Sequence, residues 1–204
     1  MQMTPKPIDT VWRALKAHGM LLKQDKRVPS VVGIVTGESL RGSWWGHPQS
    51  HQIFSILAIL AEDEEIVLTK LLHRKDTLIH RQLWPALLAV GRARAPWQLV
   101  GLSNESLRLL NLVDRSNAMR ATGSAVKELQ CRLLITAHEV HGNAGRHEVA
   151  LESWTRWADR VACTALASST EGRDELERAA ASLGAPVGWL PWASLPRSGA
   201  RDGR

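Results

Sequence analysis

Ile66-Val67-Leu68-Thr69-Lys70-Leu71-Leu72-His73-Arg74-Lys75-Asp76-Thr77-Leu78-Ile79-His80 is the stretch on which the fold turns. Two runs, Ile66 to His73 and Thr77 to His80, flank the polar Arg74-Lys75-Asp76 and read as a β-hairpin with a basic tip. Immediately before it, Ser50 to Asp63 reads as a buried helix. Ile53, Phe54, Ile56, Leu57, Ile59 and Leu60 cover more than half its circumference, and the acidic run Glu62-Asp63-Glu64-Glu65 stops it.

Working outward, Val11, Leu15 and Leu22 suggest a first helix from Asp9 to about Gln24. A basic connector comes next with Lys23, Lys26 and Arg27. Pro29-Ser30 then starts a short element, Val31 to Val35, ended by Gly37, whose β-branched content also suits a strand. On the other side, Gln82 to Val90 is helical, and Ser103 caps a helix through Leu112. Arg115 to Gly123 is a polar break. Ala125 to Val140 and His147 to Val161 are read as helices, and Thr170 caps a last one from Glu171 to Leu183. No internal repeat is visible. The expected class is mainly α with one β-hairpin, α+β overall. A helix and then a hairpin with a basic tip is how a winged-helix domain is put together, so the N-terminal half is expected to be winged-helix-like. Residues 1–115 and 120–193 are expected to pack as one unit, with 194–204 a disordered tail.

The chain of 204 residues carries 26 basic against 20 acidic side chains, a net charge of +6. Much of the acid is gathered at Glu62 to Glu65 and Glu171 to Glu177, so the remaining surface is more basic still. Such a bias favours a polyanionic partner, of which nucleic acid is the simplest. Two cysteines make no disulfide framework, Met1 to Asp9 lacks the apolar core of a signal peptide, and no run of 18 apolar residues exists. A cytoplasmic protein without membrane contact is expected.

Four constellations could carry chemistry. In Arg41-Gly42-Ser43-Trp44-Trp45-Gly46-His47-Pro48, an indole could stack on a base while Arg41 holds a phosphate, with Ser43 and His47 in the same contact set. The alternative is that the indoles fill a core. Adjacent residues of an extended segment point to opposite sides, so the two are not expected to be equally buried. Arg74, Lys75 and Arg81 extend the nucleic-acid set onto the hairpin, and Trp84, Arg92, Arg94 and Trp97 interleave cations with rings. Lys70 shares a strand face with Ile66, Leu68 and Leu72. Desolvated there, its amine would be nucleophilic and could form a Schiff base with an abasic-site aldehyde, with His80, Glu38 or His47 moving protons. The competing expectation, that Lys70 snorkels to solvent, is the rule for lysines. Finally, His138 and His141, i and i+3 on a helix end, could join His147 around zinc, the one cofactor the sequence suggests. Histidines at a helix C-terminus also need no metal, and the same histidines with Arg146 could instead grip a phosphate.

P-loop, G-x-G-x-x-G, G-x-S-x-G and paired-cysteine patterns are absent from the sequence, which argues against a nucleotide-driven motor, a dinucleotide enzyme or a serine hydrolase. The expected function is nucleic-acid binding, DNA ahead of RNA, with DNA repair or processing inside that class. Two alternatives remain. One is an enzyme on a small anionic substrate using His47, His138 and His141. The other is a protein–protein interaction module.

Overall fold

The computed structural model describes residues 6–116, 119–141 and 147–193. Its first unit runs α1 (Pro7–His18), β1 (Met20–Leu22), α2 (Val31–Thr36), α3 (Ser50–Glu62), β2 (Ile66–Thr69) and β3 (Thr77–His80). The expected helix to Gln24 is cut short. Gly19 adopts φ 73°, which costs a glycine little, and returns its N–H to the Leu15 carbonyl. Met20, Leu21 and Leu22 are then free to pair with β3, fully buried. Ser30 caps α2 by accepting from the Gly33 N–H. The hairpin is antiparallel from Ile66↔His80 to Thr69↔Thr77, and the sheet order is β1-β3-β2. Its first strand ends at Thr69 and not at His73 as expected, so Lys70 and Leu72 lie in the turn and share no strand face with Ile66 and Leu68.

α4 (Trp84–Arg92) and α5 (Pro96–Leu99) lead to a second unit: α6 (Asn104–Arg115), β4 (Met119–Arg120), α7 (Ser124–Cys131), β5 (Thr136–His141) and β6 (His147–Glu152). Here the helices expected over Ala125 to Val140 and His147 to Val161 are corrected. α7 stops at Cys131, and Leu133 takes φ 51°, a left-handed backbone that no helix can contain. β5 and β6 then pair as a second hairpin, with β4 on the far side of β6. The expectation of one hairpin therefore gives way to two three-stranded antiparallel sheets, within the α+β class. The second order, β4-β6-β5, repeats the first: the leading strand pairs with the third, and the third with the second. The chain repeats a topology that it does not repeat in sequence, with one helix rather than two between the first and second strands.

α8 (Trp154–Arg160) and α9 (Ser169–Ser182) complete the fold. The larger core joins the first unit to α4, α8, α9 and the C-terminal Trp189 and Trp192. The smaller gathers Leu109, Val113, Val126, Leu129, Ile135 and Leu151. Helix α6, although on the N-terminal side of the polar break, thus packs with α7, β5 and β6 on its C-terminal side. The segment 194–204, expected as a tail, lies outside the described residues. Among those described, no helix is long and apolar enough to cross a membrane.

α9 seats on α4 through Gly172, where an added Cβ would lie 2.6 Å from the Ala86 carbonyl oxygen. Backbone cannot rotate away as a side chain can. Gly172→Ala is therefore expected to lower stability by about 1–3 kcal/mol, while Gly188→Ala, whose Cβ meets nothing within 4 Å, stays near wild type. Urea unfolding of the two variants checks this.

Candidate functional site

A groove of about 620 Å³ beside the first hairpin gathers charged side chains from four segments of the chain. Lys23, Lys26 and Arg27 reach it from the connector between β1 and α2, and Arg41 from the loop before Trp44. Lys70, Arg74 and Lys75 come from the hairpin turn and Lys127 from α7. Eight cations face two carboxylates, Asp25 and Asp76.

Those carboxylates set the geometry. Asp25, with 1% of its side chain exposed, accepts from the Lys75 ammonium at 2.7 Å and from the Arg27 N–H at 2.8 Å. Burial pushes the Asp25 carboxyl up, but the Lys75 hydrogen bond and the Arg27 and Val28 amides outweigh it and hold the group below its ordinary range. Asp76 accepts from Lys70 at 2.6 Å, and its carbonyl accepts from the Lys23 N–H at 2.8 Å. Gln24 ties the connector to the tryptophan loop by donating to the Gly42 carbonyl at 2.7 Å. The connector, the hairpin turn and the tryptophan loop are thus fastened together.

The hairpin turn is strained. His73 and Arg74 sit at φ 52° and 57°, a region β-carbon-bearing residues avoid. Trp189 holds His73 there. Its carbonyl accepts from the His73 N–H at 2.7 Å, its ring lies 5.3 Å from that imidazole, and Arg27 stacks over it at 4.4 Å.

Of the residues anticipated from sequence, Arg41, Trp44, Lys70, Arg74 and Lys75 meet in this groove. The others stand elsewhere. Ser43 caps a 3₁₀ turn, Trp44–Gly46, by accepting from the Trp45 N–H. Trp44 is buried and Trp45 is 63% exposed, so their burial is unequal as expected. Yet the turn stacks the rings at 4.2 Å instead of sending them to opposite sides. His47 is occupied on both nitrogens, Nε2 against Glu38 at 3.1 Å and Nδ1 accepting from the Gln49 N–H. Arg81 pairs with Glu65 at 3.4 Å, away from the groove. His80 is buried edge-on to Trp12, and desolvation holds its imidazole below the ordinary range. Trp84 and Trp97 are core residues. Neither His80 nor His47 lines the groove that holds Lys70.

The zinc site loses its premise. His138 and His141 lie on β5 and His147 on β6, so the i, i+3 neighbourhood of a helix does not exist there. The side chains of His141 and His147 are outside the described residues. Among the described residues, no group of three or more histidine, cysteine or acidic side chains is placed to hold a metal. Sequence reasoning also missed Asp25, Asp76, Lys127 and Trp189. The signal available was the lone acid inside the basic connector, Lys23 to Arg27.

Comparison with protein-family models, with curated proteins and with solved structures found no match to this chain.

The Asp25 anchor makes stability depend on pH. Because the folded Asp25 carboxyl lies below the ordinary value of about 3.9, it adds stability above that pH, which is lost as pH falls through its folded pKa. Asp25→Asn is expected to cost about 1–3 kcal/mol at neutral pH and to flatten the fall in stability below about pH 5, as read by urea unfolding across pH. Arg74→Gly relieves a left-handed strain worth about 1 kcal/mol and is expected to melt at or above wild type by calorimetry, where Arg74→Ala does not.

Proposed function

We propose that the protein binds nucleic acid, DNA ahead of RNA, by clasping phosphates in the groove between the first hairpin and the Lys23–Arg27 connector. The observation that carries this is the imbalance of eight cations to two carboxylates around one cavity, with Lys70 and Lys75 ion-paired and the rest available. Trp44 lines the wall by little more than an edge, because it is buried and stacked on Trp45. The helix–strand–helix–helix–strand–strand order of the first unit, with its first strand paired to the third, supports a winged-helix plan in which the hairpin is the wing. The third helix of that plan, α3, contains no lysine or arginine and ends in acid. Base reading by α3 thus has little support, and the binding proposed is phosphate-led and sequence-tolerant.

Strand cleavage at an abasic site has thinner support. Lys70 lines the groove, but its amine is engaged by Asp76, and neither His80 nor His47 joins it. Partner-protein binding has one observation of its own: Trp45, Phe54 and Ile59 are all at least half exposed on and beside α3.

Anisotropy titrations of labelled duplex, single-stranded and abasic-site DNA at several salt concentrations test the proposal. Arg74→Ala and Lys127→Ala are each expected to weaken binding on every sequence and to flatten the salt slope by about 0.9. Arg81→Ala, outside the groove, leaves both unchanged. Wild-type affinity in the groove variants would overturn the assignment. A borohydride-trapped adduct lost in Lys70→Ala would add strand cleavage, and no adduct leaves binding alone.

A further inference from the structure

A second cationic cavity, of about 460 Å³, shares no lining residue with the groove. It lies between the C-terminal ends of α4 and α6 and the start of α8, and three arginines line it: Arg92, Arg94 and Arg156. Arg94 donates to Asp114 at 2.7 Å, which neutralises one charge. Arg92 and Arg156 pair with no carboxylate among the described residues, leaving two net positive charges on the cavity wall. The Nη1 of Arg156 is fully buried and has no acceptor. Closed to solvent, that nitrogen lies behind the cavity wall and not in the open space, and without an acceptor it is costly as placed.

Two further features show that the cavity is held in shape. Arg94 adopts φ 50°, a strained backbone for a residue with a β-carbon, and its side chain is fixed by Asp114. The back wall is Trp154, whose indole N–H donates to the Leu133 carbonyl at 2.8 Å, and whose ring lies where a Cβ on Gly91 would come within 2.5 Å. The indole is thus tied by its N–H to Leu133 and packed closely on the Gly91 backbone.

We infer that this cavity is a binding site for a small phosphomonoester. Two unpaired guanidiniums match the charge of a phosphomonoester, about −1.5 to −2 at neutral pH. The exposed Arg92 can engage phosphate oxygens bidentately, while Arg156 contributes its charge from the wall. The volume exceeds what a bare phosphate ion fills and lies in the range of small-ligand pockets. Trp154 and Leu134 offer the remainder of the ligand an apolar wall. The site is independent of the nucleic-acid groove, and its failure can be told from the failure of that proposal.

Calorimetric titration of the full chain with adenosine 5′-monophosphate, ribose 5-phosphate, inorganic phosphate and succinate tests it. The two esters are expected to bind, inorganic phosphate more weakly and succinate at least tenfold more weakly. Arg92→Ala, at an exposed position, and Arg156→Met each weaken ester binding at least tenfold, while Arg74→Ala leaves it unchanged. Without ligand, Arg156→Met melts no lower than wild type, because it removes an unpaired buried donor. With ester, only wild type gains in melting temperature. No ester binding at millimolar concentration, succinate binding as tightly as the esters, or equal loss in Arg74→Ala would each overturn the site. Should Arg156→Met fail to fold, unchanged binding in Arg92→Ala would overturn it alone.

Discussion

A carboxylate with 1% of its side chain exposed, Asp25, lies inside a ring of cations, and the geometry of the groove depends on it. Burying a charge is tolerable only when the charge is paired and its remaining lone pairs are filled. Lys75 supplies the counter-charge from the hairpin and Arg27 an amide from the connector, so one buried group fastens two segments fifty residues apart. Asp76 repeats the device at lower burial, holding Lys70 by its carboxylate and Lys23 by its carbonyl. The two acids are few enough to leave the groove positive and placed well enough to keep like charges from pushing it open.

The same economy governs the tryptophans. Nine in a chain of this length invite a stacking surface, yet most are core. Trp84, Trp154 and Trp157 meet edge to face, and Trp97 lies against Trp192. Trp189 is the link between this core and the groove, because it is buried and still holds both His73 and Arg27 from beneath. The C-terminal 3₁₀ turn that carries it, Val187–Trp189, is how the last part of the chain acts on the first hairpin. With α9 seated on α4, α1 and the segment through Trp192 share one core.

How much of the fold is legible in the sequence depends on how local each signal is. The hairpin at Ile66 to His80, the Ser30 and Ser103 caps and the helix over Ser50 to Glu62 are written in neighbouring residues, and each is present. Ala125 to Val140 misleads because Leu129, Leu133 and Ile135 fit a helical spacing, while the break at Leu133 is a backbone event with no glycine or proline to announce it. Strand β1 is hidden for a related reason. Met20 to Leu22 continues an apolar pattern, and only its partner β3, some sixty residues on, makes it a strand. Phe54 and Ile59 belong to a core by type and stand exposed, since α3 has only one face to pack. In the groove, the basic residues are visible one by one, but Lys127 joins them through the fold alone.

Strain gives the last step of the synthesis. Among the described residues, five non-glycine positions have positive φ: His73, Arg74, Arg94, Leu133 and Ala162. Such a backbone costs on the order of 1 kcal/mol or more apiece, and a chain optimised for stability alone would place glycine or asparagine there. Arg74 lines the groove and Arg94 the arginine cavity, while Leu133 gives its carbonyl to the indole that walls that cavity. Three of the five strained positions therefore sit at the two places where cations converge on a cavity. At Arg74 and Arg94 a glycine would ease the backbone and remove the charge. The chain keeps the arginine, fixing Arg94 by Asp114 and the residue before Arg74, His73, by Trp189, an arrangement that makes physical sense if the charge at that point is what the backbone is bent to present.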